Sequence, residues 1–230
     1  PKTIDNDLPH TDHCPGYGSV IRYNATTVME IGCDVGSMAT DDGACSIIEV
    51  MGRAAGWIAA GTILAKRAPA DPPHIILLPE IPLDEQAFLN RVKQTIDSLK
   101  YCVVVAGEGL KNANGDEIGA DKSNLDAFGH PVLSGAAERL AEMVKGTLNL
   151  KTRTVKLGYA QRAAAHAASE TDVEEAAACG EAAVRAAVHG ESGYMVKLVR
   201  TSEDPYEWTT GLQPLSDIAN QERLIPRDWI

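Results

Sequence analysis

Ser46-Ile47-Ile48-Glu49-Val50-Met51-Gly52-Arg53, followed directly by the small and apolar run 54–66, reads as a strand, a turn and a helix in immediate succession. A short apolar run centred on two isoleucines favours the extended backbone, and the alanine-rich run after it favours helix. Gly52 lies between them, where a strand's C-terminal end meets a helix N-terminus and backbone N–H groups can approach an anion. The same alternation extends in both directions. Residues 75–78, 102–106, 152–157 and 195–199 read as further strands. Residues 84–99 place Phe88, Leu89, Val92, Ile96 and Leu99 on one helical stripe, and residues 133–144 repeat it with Leu133, Ala137, Leu140 and Val144. A helix over about 171–189 is expected to start on the capping box Thr171-Asp172-Val173-Glu174 and stop at Gly190. Alternating strands and helices predict an α/β protein with a mostly parallel sheet flanked by helices. Residues 107–130, rich in glycine and polar groups, read as a long surface loop, and residues 201–230 as an aperiodic tail docked by Trp208, Leu212, Leu215, Ile218 and Trp229.

The chain has 230 residues, with 21 Lys and Arg against 32 Asp and Glu, so its formal charge is -11. That excess disfavours a nucleic-acid or anionic-membrane partner, and any phosphate site must gather its basic residues locally. The longest uncharged and largely apolar stretch, 54–65, is too short for a membrane span of about 20 residues. Five widely spaced cysteines with no C-x-x-C pair suggest free thiols and a reducing, cytoplasmic setting. The chain opens at Pro1 inside a dense polar motif, and is expected to be a piece of a longer polypeptide.

That motif is Pro1-Lys2-Thr3-Ile4-Asp5-Asn6-Asp7-Leu8-Pro9-His10-Thr11-Asp12-His13. Asp5 and Asp7, beside Thr3 and Lys2, are suited to a general base with a partner that orients it or holds Mg2+ through water. They are equally the residues of a solvated turn. His10, Asp12 and His13 could ligate a hydrolytic metal, although the further histidine such sites usually carry is missing. Arg53 and Glu80 each follow a predicted strand, where Arg53 suits a phosphate and Glu80 suits sugar hydroxyls. In residues 151–162, Arg153, Tyr159 and Arg162 form a donor set for a phosphate monoester, with a solvated edge strand as the competing reading.

Pro1-Lys2-Thr3-Ile4-Asp5-Asn6-Asp7, the run 47–57, Leu78-Pro79-Glu80 and Leu157-Gly158-Tyr159-Ala160-Gln161-Arg162 together resemble the 6-phosphofructokinases, in the same order along nearly the whole chain. Residues 218–226 are similar to the closing segment of the long or pyrophosphate-dependent bacterial branch. The resemblance implies a three-layer, Rossmann-like phosphofructokinase fold. It implies phosphoryl transfer to the 1-hydroxyl of fructose 6-phosphate, with Mg2+ as cofactor and pyrophosphate or, alternatively, ATP as donor. Asp5 would be the base, supported by Thr3 and Asp7, and Lys2 would neutralise the transferred group. Met51, Gly52, Arg53 and Glu80 would hold the sugar, and Arg153, Tyr159 and Arg162 its 6-phosphate. Tyr159 and Lys2 fit the pyrophosphate-using branch.

The sequence departs from the family in two places. Ala44 stands where many bacterial members carry an arginine, and the glycine-rich donor portion is not among these residues, so these residues on their own are expected to be inactive. The implied layout is 1–17 as the end of a donor-side domain, 18–160 as the sugar-phosphate domain, 161–199 as a return to the donor side and 200–230 as a docking segment. A homodimer or homotetramer in the cytoplasm is the implied assembly. A non-catalytic sugar-phosphate module and a metal-dependent hydrolase on His10, Asp12 and His13 remain as alternatives.

Overall fold

The computed structural model describes residues 1–125, 131–133 and 135–230. In chain order the main elements are α1 (Tyr17–Ser37), β1 (Ala44–Val50), α2 (Trp57–Gly61, extended by a 3-10 turn over Thr62–Ala65), β2 (Ile75–Leu77), α3 (Glu85–Leu99) and β3 (Tyr101–Gly107). There follow β4 (Ala120–Leu125), β5 (Pro131–Leu133), α4 (Ala136–Leu148), β6 (Lys151–Lys156), α5 (Ala160–Ala163), α6 (Glu170–Val188), β7 (Tyr194–Glu203) and β8 (Tyr206–Pro214).

β1 and β3 are buried at six consecutive positions each, as expected of strands covered on both faces. They form the centre of a parallel sheet of order β2-β3-β1-β6, with Ile48 beside Val105 and Val155. One face packs Ile47, Val104, Phe88, Val92, Leu140 and Val144 under α3 and α4. The other packs Ile48, Val50, Val103, Val105, Val20 and Ile58 under α1 and α2. This is the predicted α/β architecture. Its consequence for function is topological: the chain ends of β1, β3 and β6 lie side by side, although about 50 residues separate each in sequence.

The predicted strands and the helix at 84–99 fall where expected, the latter with Asp84 Oδ1 accepting from Ala87 N at 2.9 Å as its N-cap. Other elements differ. α1, the longest helix, was not foreseen, because Gly18, Gly32, Gly36 and paired threonines depress helix propensity. Packing of Val20, Ile21, Asn24, Val28 and Val35 overrides that preference. The predicted stripe at 133–144 starts later, at Ala136, and Leu133 belongs to β5. The expected loop 107–130 contains β4, paired antiparallel with β5, while residues 126–130 lie outside the described residues. The tail is not aperiodic, since β8 forms an antiparallel hairpin with β7. Cys179, Val196 and Leu198 join that hairpin to α6 in a small third cluster.

α6 also departs from its predicted capping box. It starts at Glu170 after Ser169, and no side chain caps it. The Asp172 carboxylate instead accepts from Gly16 N at 2.8 Å, Ser19 N at 2.6 Å and Ser19 Oγ at 2.6 Å, capping the start of α1. No described helix is long and apolar enough to cross a membrane.

Candidate active site

Parallel strands collect ligands at their C-terminal ends, where helix N-termini also point. In this sheet those ends are Met51-Gly52-Arg53 after β1, Glu108 after β3 and the turn 157–162 after β6. Residues 1–5 lie beside them. The result is a cavity of about 860 Å3 whose lining includes Lys2, Thr3, Asp5, Met51, Glu108 and Arg162.

Thr3 Oγ1 accepts from Asp5 N at 3.0 Å, which fixes the Asp5 backbone. Burial, and then the neighbouring Asp7 charge, raise the Asp5 carboxyl to about 6 against the opposing charges of Arg162 and Arg53. Burial and the Asp5 charge likewise raise Glu108 to about 7, although Gly52 N donates to Glu108 Oε1 at 3.3 Å. Gly52 adopts φ 117, a left-handed value that favours glycine, and so its N–H can face the site. Met51 N donates to Gln161 Oε1 at 3.2 Å, and Gln161 Nε2 donates to Gly158 O at 3.0 Å, tying the β1 and β6 turns together. Two carboxyls with affinities shifted towards neutral pH, facing a lysine and an arginine in one cavity, are the equipment of proton transfer beside an anion.

The sequence-predicted residues divide accordingly. Lys2, Thr3, Asp5, Met51 and Arg162 line the cavity, and Asp7, Gly52 and Arg53 border it through the interactions above. Tyr159 is 72% exposed and outside the cavity lining, and the Arg162 guanidinium stacks over its ring at 4.4 Å. Glu80 is elsewhere: its Oε1 accepts from Gly56 N at 2.8 Å and Ile225 N at 3.2 Å, holding the C-terminal segment to the α2 entry. Arg153 also stands apart. It is exposed beside Ser46, four positions before the Val50 end of β1, with Nη1 3.9 Å from Met38 Sδ.

His10, Asp12 and His13 do not make a hydrolytic metal centre. His13 Nδ1 bonds Asp12 Oδ2 at 2.8 Å and Nε2 bonds Glu175 Oε2 at 2.7 Å, while Arg200 grips both oxygens of Asp12 at 3.0 Å. His10 is exposed and shares in none of this. Among the described residues the one converging group of possible metal ligands is His13, Asp172 and Glu175, and their ligating atoms already bond protein groups.

Glu108 is the site residue that sequence reasoning missed. The signal was available, since Glu108 follows the apolar run 102–106 as Arg53 follows 46–50.

A covered parallel sheet with ionisable and basic groups gathered at its C-terminal edge defines an α/β protein built to hold an anionic ligand there. The model of the phosphofructokinase family matches residues 1–187, and the chain belongs to that family. It is 46% identical to the pyrophosphate–fructose 6-phosphate 1-phosphotransferase of Halomonas elongata, covering all of this chain and 55% of that protein. It is 44% identical to the protein of the same name from Xanthomonas campestris pv. campestris, with the same coverage. The crystal structure of the pyrophosphate-dependent phosphofructokinase from Marinobacter aquaeolei superposes with a TM-score of 0.85 at 45% identity, covering all of this chain and 54% of that one. The chain thus spans about half the length of the relatives it matches.

Proposed function

We propose that the protein containing this chain transfers a phosphoryl group from pyrophosphate to the 1-hydroxyl of fructose 6-phosphate, giving fructose 1,6-bisphosphate in cytoplasmic glycolysis. The observation that carries this reading is Asp5, a half-buried carboxyl raised to about 6 in a cavity that also presents Lys2 and Arg162. Asp5 takes the hydroxyl proton, Asp7 keeps its affinity for that proton high, and Thr3 holds its backbone. The Lys2 ammonium offsets charge on the group in transfer. Glu108 and the Met51 turn hold the sugar, with Glu108 replacing Glu80 in that role. Arg162, steadied by Tyr159, binds the 6-phosphate with Arg53 nearby, and Arg153 stands outside this set. Asp5 and Asp7 supply hard oxygen donors suited to Mg2+, and their mutual repulsion is what a cation relieves. Bound there through water, Mg2+ would neutralise phosphate charge. A homo-oligomeric assembly, a dimer or tetramer, is part of the proposal, supported by exposed Leu64, Val184 and Val188. Five free thiols suit the cytoplasm.

In the full-length enzyme, Arg162→Ala should weaken fructose 6-phosphate binding by about 1.5 kcal/mol, the low end for a charge-assisted bond because Arg162 is exposed. Calorimetry should show fructose itself unaffected. Unchanged affinity for the phosphorylated sugar would move the phosphate site elsewhere.

The same variant tests the base. A base must be ionised, so kcat/KM should fall about tenfold per unit as pH drops below the Asp5 value of about 6. Arg162 lowers the Asp5 value, so Arg162→Ala should move this acid limb to higher pH. A limb that stays in place or moves down would detach Asp5 from Arg162. Stability runs the other way: both carboxyls hold protons more tightly folded than unfolded, so this contribution is lost as pH rises from about 4 to 7.

Lys2→Gly should reduce kcat/KM with pyrophosphate several-fold more than with ATP, because pyrophosphate has no nucleoside to anchor it. Equal losses with both donors would show that Lys2 does not discriminate between them.

A further inference from the structure

Arg223 lies outside the cavity, 217 positions from Asn6 in sequence, yet its side chain is bonded to the loop that carries Asp5 and Asp7. Nε and Nη2 donate to Asn6 O at 3.2 and 2.9 Å, and Nη2 also donates to Asn6 Oδ1. Nη1 donates to Thr11 O at 2.7 Å and to Asp12 O at 2.8 Å. Its backbone N–H donates to Asp7 O at 2.7 Å. The clamp is itself held by the sheet side of the molecule, since Trp57 Nε1 donates to Arg223 O at 2.7 Å and the guanidinium lies 5.3 Å from the Trp57 ring centroid.

The bend it grips is Asn6, which is 4% exposed and adopts φ 58. Left-handed backbone is uncommon outside glycine, but asparagine adopts it more readily than most residues, so the bend suits Asn6 and the bonds around it fix which way it turns. Asn6 lies between Asp5 and Asp7, so its torsion sets the direction in which each neighbouring carboxylate leaves the backbone. A planar guanidinium can bridge the carbonyls at 6, 11 and 12 at once, whereas a lysine ammonium is a single point on a flexible stem.

We propose that Arg223 is a positioning residue for phosphoryl transfer, locking the Asn6 bend so that Asp5 faces the cavity with the Asp7 charge beside it, without itself touching substrate. This rests on the reading of Asp5 as the base. The clamp acts on orientation, so its loss appears in turnover: a misplacement of about 1 Å costs on the order of a hundredfold in rate.

The test compares Arg223→Lys, Arg223→Ala and Asp5→Asn in the full-length enzyme. Arg223→Lys should lower kcat about thirtyfold while the KM for fructose 6-phosphate stays within about threefold and the melting temperature barely moves. Added guanidinium should restore part of the kcat of Arg223→Ala and none of that of Asp5→Asn. Endoproteinase Asp-N should cut before Asp5 or Asp7 faster in both Arg223 variants than in the parent. Parallel loss of kcat and thermal stability without guanidinium rescue, or unchanged cleavage, would overturn the inference. If Asp5→Asn turned over normally, the base reading would fail by itself, and cleavage together with rescue would still judge the clamp.

Discussion

Asp5→Asn in the full-length enzyme should lower kcat by at least about a hundredfold and leave the KM for fructose 6-phosphate nearly unchanged. The substitution is almost isosteric, so the Asp5 N to Thr3 Oγ1 bond at 3.0 Å has no reason to break. What disappears is the proton acceptor and one of the two charges crowded in the cavity. The Asp5 charge is a cause of the raised Glu108 value, so removing it should also let the Glu108 carboxyl titrate below about 7. Steady-state kinetics and a pH titration of Glu108 by NMR would read both effects. Retention of more than about a third of the parental kcat would remove Asp5 from the role of base.

Gly109→Ala should be comparably damaging, for a steric reason. A Cβ at residue 109 would stand 1.6 Å from Arg53 O and 2.6 Å from Arg53 C, backbone atoms that cannot turn aside as a side chain can. Gly109 closes the turn after β3 and Arg53 belongs to the turn after β1, so the two strand ends that frame the cavity must part. A shift of about 1 Å between Glu108 and the Met51-Gly52-Arg53 turn costs on the order of a hundredfold in kcat/KM, and overpacking adds about 1 to 3 kcal/mol of destabilisation. Gly146→Ala is the control. Gly146 lies within α4 with nothing inside 4 Å of its added Cβ, and alanine there should stabilise by about 0.5 to 1 kcal/mol. Parental kinetics and a melting temperature within about 2 °C of the parent for Gly109→Ala would show that the turns tolerate the displacement.

The contrast between Glu80 and Glu108 shows how far the sequence alone could be read. Both follow apolar strands, and the run of residue types places each at a C-terminal strand end. Which end adjoins the β1 turn depends on strand order, and β3 pairs directly with β1 whereas β2 pairs only with β3. Strand order is set by how covered faces pack, which periodicity does not encode. The strands themselves were legible because a doubly buried strand must be continuously apolar. α1 was not, because its buried face includes Asn24 and Gly32, which carry no hydrophobic signal. Asp5, Lys2 and Arg162 were legible because they sit in short dense motifs, whereas the Arg223 clamp joins residues far apart in sequence and only the folded chain brings them together.

The Asp172 carboxylate has a consequence for how the molecule comes apart. It belongs to α6 but bonds Gly16 N and both Ser19 N and Ser19 Oγ at the start of α1, where the helix provides no side-chain cap of its own. The first-turn amides of α1 are therefore sheltered by a helix that follows them by some 150 residues. Local fraying at that end is coupled to an excursion of α6 as a whole, so the two helices should open as one cooperative unit. Deuterium uptake at residues 16–19 should then rise in step with uptake along α6, and Asp172→Ala should separate the two rates.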